Sequence, residues 1–146
     1  MGRKEVSQVI YLIGSLRNPR IPQIANELRA AGYEVFDEWY SAGCDADEKW
    51  RDYERQRGHD LVEALKGYPA RHVFEFDRRH LLRAHEVVLV LPAGKSGHLE
   101  LGVALGLGKP GYVLLDANPD RYDVMYQFAN GVCRTVQDLL GMLARS

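Results

Sequence analysis

The stretch "EVVLVL", residues 86–91, constrains this chain more than any other. After its first residue it is apolar without alternation and rich in valine. A strand with one wet face alternates, so a continuous run reads as a strand covered on both faces, the habit of parallel sheets. Parallel neighbours need a crossover between them, usually a helix. The segment that follows, "PAGKSGHLELGVALGLGKP" (residues 92–110), supplies a loop and a helix, and "GYVLL" at 111–115 reads as the next strand.

The same alternation runs through the rest of the chain. "EVSQVIYLI" (5–13) reads as strand one, ending at Gly14-Ser15, and "IPQIANELRAAG" as a helix with Pro22 in its first turn and Gly32 as its stop. "YEVF" (33–36) is strand two. "HDLVEALKG" and "FEFDRRHLLRAH" read as helices before the buried run, "YDVMYQFAN" as a short helix, "GVCRT" as a weak edge strand and "VQDLLGMLAR" as a closing helix. The expected fold class is therefore α/β: a flavodoxin-like doubly wound five-stranded parallel sheet, order 2-1-3-4-5, with helices on both faces. At 146 residues this is one domain, spanning 1–146, with an insertion at about 38–75 that is charged, carries Trp39, Trp50 and Tyr53, and turns helical from about Glu48. It reads as lying on the active-site side. Its "DADEKW" lacks the glycine and terminal glutamate of a calcium loop.

Composition excludes several classes. A formal net charge of -1 argues against binding a nucleic-acid polymer. Cys44 and Cys133 have neither metal-ligand spacing nor a disulfide framework, so a cytoplasmic location is expected, with no metal or cofactor. No apolar run is long enough to span a membrane, and the start of the chain has no signal-peptide core. "GKS" at 94–96 is not a phosphate-binding P-loop, because position 89 is leucine where that motif needs glycine. Gly102, Gly106 and Gly108 follow the helix start and form no dinucleotide fingerprint.

In doubly wound sheets the ligand lies beyond the carboxyl ends of the strands, where the strand order reverses. Here that crevice falls between the loops Gly14–Arg20 and Pro92–Gly97. The first offers Gly14 for close backbone approach, the Ser15 hydroxyl and the Arg17 charge fork; a tight turn with a surface arginine is the plainer reading. The second contributes Gly94, Ser96 and Gly97, with His98 as polar lining. Glu100 is the unexpected residue. With Gly97 as N-cap it stands in the first helical turn, where a carboxylate favours the helix dipole, yet Val103 and Ala104 put it on an apolar side, and a buried acid at a crevice is costly unless it has a function. Gly102 and Gly106 cost the helix about 1 kcal/mol each and imply a close approach. Asp77 reads by itself as an N-cap opening the helix before strand three, Tyr11 as a core residue whose hydroxyl reaches the crevice, and "RRH" (78–80) as a solvated face.

"YLIGSLR", Asp77 ahead of the buried strand, and "SGHLELGVALGLGKPGYVLL" together resemble the nucleoside 2-deoxyribosyltransferase family, which includes relatives that hydrolyse deoxynucleoside 5′-monophosphates. The resemblance covers most of the chain outside 38–75 and implies the same fold. It implies that Glu100 is the nucleophile at the anomeric carbon, that Asp77 positions or protonates the substrate, and that Gly14, Ser15 and Arg17 line the sugar or phosphate site. Two positions depart from the pattern. Gly94 stands where the transferases have aspartate and the monophosphate hydrolases serine, and Asp123, ahead of Val124 and Met125, stands where the hydrolases offer serine from a neighbouring subunit.

The expected function is cleavage or exchange of the N-glycosidic bond of a (deoxy)nucleoside or nucleotide through a glutamate nucleophile, with Asp77 or Tyr11 serving the leaving base. A non-catalytic nucleotide-sensing module on the same fold is the alternative. A NAD-type glycohydrolase is disfavoured by the lack of a second dinucleotide half. The helix terminus is expected to keep Glu100 ionised. The expected partners are a small nucleoside or nucleotide and other copies of the chain, with Asn130 as a candidate to reach across; neither a nucleic-acid polymer nor a membrane is expected.

Overall fold

The computed structural model describes residues 8–145. Five strands form one sheet of order β2-β1-β3-β4-β5, every pair parallel: β1 (Val9–Ile13), β2 (Glu34–Phe36), β3 (Glu86–Val90), β4 (Gly111–Leu114) and β5 (Gly131–Cys133). This is the expected topology, and the strand order reverses between β1 and β3. Residues 5–7, read as the start of strand one, lie outside the described residues. β3 sits in the middle, in register with β1 (Tyr11 opposite Val87) and β4 (Val88 opposite Tyr112), and all five of its residues are buried.

Alternation along the strands sorts the core into two layers. Ile10, Leu12, Val88 and Leu114 pack under α1 (Ile21–Ala30) and α6 (Val136–Arg145). Val9, Tyr11, Ile13, Val87 and Leu89 pack under α4 (Tyr68–Arg83) and α5 (Lys95–Gly106). α1 buries Ile21, Ile24, Ala25 and Leu28, the spacing of one helix face, and Gly32 follows at φ 102°, a left-handed stop that suits glycine. Each fully buried Leu or Ile contributes roughly 1.5–3 kcal/mol.

Between β2 and α4 the chain makes a 3-10 turn (Glu38–Ala42), α2 (Ala46–Gln56) and α3 (Leu61–Lys66), the last closed by a reciprocal cap between Asp60 and Glu63. α2 begins two residues before Glu48, close to the expected start. α4 begins earlier than the sequence suggested, at Tyr68, because Pro69 starts a helix well and nothing after it stops one. Asp77 is therefore in the helix interior and caps nothing. α5 also starts early: its N-cap is Gly94, not Gly97, so Glu100 is the sixth helical residue and stands in the second turn.

Candidate active site

Tyr11 is the centre of the candidate site. The two-residue period of β1 points it to the α4/α5 layer, where it is 1 % exposed. α4 brings Asp77 to it and α5 brings Glu100; the Tyr11 hydroxyl hydrogen-bonds the Glu100 carboxyl, and the Asp77 charge is felt at both. Three residues separated by as many as 89 positions thus meet on one side of the sheet. One carboxyl oxygen of Glu100, Oε2, is out of contact with solvent and meets no hydrogen-bond partner in good geometry. A buried acceptor left unmade is expensive and marks a place where something else binds.

Burial dominates the electrostatics. It pushes the Glu100 carboxyl up to about 7; the Tyr11 hydrogen bond pulls the other way, and Asp77 adds to the rise. Burial likewise lifts Asp77 to about 6, and burial together with Glu100 raises the Tyr11 phenol. This corrects the expectation that the helix terminus holds Glu100 ionised. The terminal field fades within the first turn, and Glu100 is one turn beyond it. The pair titrates close to neutrality instead.

Below the acids lies an aromatic floor. Phe36 packs on Tyr11 with ring centres 5.1 Å apart, and His80 lies flat on Phe36 at 3.9 Å. His80 is therefore not part of a solvated face; its Nδ1 is buried and unpartnered. Its spacing from Asp77 (i, i+3) was the available signal, hidden because Arg78 and Arg79 make the stretch look polar throughout.

In the two loops several of the candidate residues are engaged within the chain. A Cβ on Gly14 would lie 2.6 Å from Ile21 Cδ1, so that glycine lets α1 pack. Ser15 Oγ accepts from the Arg17 amide at 3.1 Å, and Arg17 is paired with Glu48 of α2. Gly97 is buried, and a Cβ there would meet Ile13 at 3.1 Å and Leu89 at 3.2 Å; it admits the helix to the sheet rather than capping it. Ser96 is exposed in the first turn of α5. His98 is held by its own chain, with Nδ1 2.8 Å from the Gly94 carbonyl and Nε2 2.9 Å from the Tyr126 hydroxyl. Asn130, the candidate to reach across to a neighbour, accepts from the Gly111 amide at 2.9 Å through Oδ1 and ties the start of β5 to β4. Trp39 is core: its indole N–H donates to the Leu12 carbonyl at 2.7 Å. At Gly102 and Gly106 a Cβ would meet nothing of the same chain within 4 Å, so the close approach inferred for them is not made within the chain.

Two hollows of about 700 and 720 Å³ lie away from these acids. One is at the amino ends of the strands, around His85 and Pro110; the other lies between α5 and the 3-10 turn Val124–Phe128. Neither is lined by Glu100, Asp77 or Tyr11. The chemistry favours the crevice, because among the described residues it is there that carboxyls raised by burial converge with an unmet acceptor. No group of three or more His, Cys, Asp or Glu side chains that could hold a metal occurs among the described residues. Nor is any helix among them long and apolar enough to cross a membrane.

No family model and no curated protein matches the chain by sequence. Solved structures do match its shape. A 2-deoxyribosyltransferase from Bacillus psychrosaccharolyticus superposes with a TM-score of 0.60 at 18% identity, covering 90% of this chain and 89% of that one. A conserved protein from Enterococcus faecalis V583 superposes with a TM-score of 0.64 at 14% identity, covering 97% and 100%. Over nearly its whole length, the chain has the fold of a 2-deoxyribosyltransferase.

Proposed function

We propose that this protein is a glycosyl-transfer enzyme that cleaves or exchanges the N-glycosidic bond of a (deoxy)nucleoside or nucleotide. The observation that carries the reading is the convergence of Tyr11, Asp77 and Glu100 with Glu100 Oε2 unpartnered. The fold shared with a 2-deoxyribosyltransferase supports the same bond class. In the ionised form Glu100 attacks the anomeric carbon; the C–N bond breaks, and its electron pair leaves with the base. Asp77, protonated below about 6, or a proton from solvent then neutralises the departing base. Water or a second base displaces Glu100 from the resulting glycosyl ester. Tyr11 holds the carboxylate in place and stabilises its charge, so it acts on Glu100 rather than as the acid toward the base.

The same reading includes a homo-oligomer. One face of α5, with Leu99, Val103 and Leu107, is apolar and exposed. The decisive experiment incubates the protein with a panel of nucleosides and monophosphates and looks for released base. Glu100→Gln is expected to lose about 10³-fold or more of the turnover while still folding. Substantial base release by that variant sinks the mechanism, and a wild type that releases no base from any substrate sinks the enzyme reading.

A further inference from the structure

The loop between β1 and α1 is where a 5′-phosphate is expected to dock, yet several of its polar groups are already in use. The Arg17 amide donates to Ser15 Oγ at 3.1 Å, the Asn18 amide to the Ser15 carbonyl at 3.0 Å, and the Arg20 amide to Asn18 Oδ1 at 2.9 Å. An anion cradle needs such amides free and convergent. Both guanidinium groups of the loop also face carboxylates. Arg20 is forked onto Asp116 at 3.0 and 2.7 Å. Arg17 is paired with Glu48, from the first turn of α2 in the insertion. The second carboxyl oxygen of Glu48 is shut off from solvent and has no hydrogen-bond partner, so this side chain is lodged at the loop rather than waving above it.

We propose that Glu48 stands at Arg17 in the place of a phosphate and is the residue that turns this site against 5′-phosphorylated substrates. The assignment rests on reading the crevice as a nucleoside site. A carboxylate and a phosphate compete for the same planar fork of donors. A phosphate arriving at Arg17 must displace Glu48 and then remain beside its charge, and like charges at that range repel. Lys95, at the start of α5, carries a point charge rather than a planar guanidinium, so it does not replace the lost fork. Specificity here comes from an element that repels the wrong substrate.

The test uses the intact chain as wild type, Glu48→Gln, and Glu48→Gln combined with Arg17→Ala. Two quantities are measured: kcat/KM for a deoxynucleoside against its 5′-monophosphate, and calorimetric affinity for inorganic phosphate. Gln keeps the shape of the side chain and removes its charge. The wild type is expected to favour the nucleoside by about 100-fold. Glu48→Gln should raise the monophosphate-to-nucleoside ratio by about tenfold or more and tighten phosphate binding to a similar degree, with both gains lost in the double variant. Glu48→Asp, which keeps the charge, should not show them. A wild type that prefers the monophosphate, or a Gln variant with an unchanged ratio, overturns the assignment. If no substrate releases base, the enzyme reading fails alone, and the phosphate titration still decides: Arg17-dependent tightening in Glu48→Gln supports the role, and unchanged affinity overturns it.

Discussion

Glu100 is pulled in opposite directions by its neighbours, and each pull can be read out. Because burial raises its carboxyl to about 7, the ionised nucleophile is lost as the pH falls through neutrality. The expected kcat/KM therefore declines on the acid side with an apparent midpoint near 7, a value belonging to the coupled pair rather than to one residue. Tyr11 stabilises the charged form, so Tyr11→Phe should move this limb to higher pH; Asp77 disfavours it, so Asp77→Asn should move it lower. A limb that moves the same way in both variants contradicts the arrangement. Stability carries a second signature. A carboxyl raised in the folded state binds more protons there than when unfolded, so stability falls as the pH rises from about 4.5 to about 7. The penalty is absent below that window and complete above it. Glu100→Gln should thus be more stable than the wild type at pH 8, by on the order of 1–3 kcal/mol, and nearly equal to it near pH 4, as measured by urea unfolding.

At the scale of elements, α5 shows how one residue type serves two purposes in a single helix. Gly97 faces the sheet, and Ile13, Leu89 and Ala93 all lie within 3.4 Å of where a Cβ would stand. Gly97→Ala gains up to about 1 kcal/mol of helix propensity but overpacks the core, typically at 1–3 kcal/mol, so a net loss of roughly 1 kcal/mol is expected. Gly102 faces open space, and there the same substitution should raise the stability of the isolated chain by about 0.5–1 kcal/mol. Chemical denaturation of the two variants at dilute concentration checks the opposite signs. In the sequence both glycines sit in the same small, apolar stretch. Only the helix phase, set by Gly94 as the N-cap, says which of them meets the sheet.

For the whole molecule, the exposed apolar face of α5 is where a partner is expected. Leu99, Val103 and Leu107 are 71%, 51% and 57% exposed, and with Gly102 and Gly106 they follow the i, i+3, i+4, i+7, i+8 spacing of one helical stripe. The opposite stripe, Gly97, Leu101 and Ala104, is buried against the sheet. A helix with apolar stripes on two opposite sides has more apolar surface than its own sheet covers, and the open space at Gly102 and Gly106 leaves room for a close approach. Tyr122, Met125 and Phe128, beside it in the chain's next surface segment, are also exposed. A two-fold dimer or larger assembly is expected by light scattering, and Val103→Glu should dissociate it and lower activity. A wild type that is monomeric and fully active removes this expectation.

Sequence alone determined the sheet, its order and the candidate nucleophile, because an unbroken apolar run, the alternation of elements and short loops leave few arrangements that bury the hydrophobic surface. The resemblance also pointed to Glu100 and Asp77, and the strand reading to Tyr11 as a core residue with its hydroxyl toward the same crevice. Tertiary structure alone decided what those groups are like. Whether Glu100 is ionised depends on how much water the packed α4, α5 and β1 leave it, and on a tyrosine 89 positions away. Likewise Arg17 is a guanidinium without an assigned partner in the sequence and faces a carboxylate in the fold, because the Glu48 that pairs it arrives from an insertion with no local relation to it. Periodicity reports which face of an element is buried; pKa, pairing and access are set by contacts distant in the chain, which periodicity does not encode.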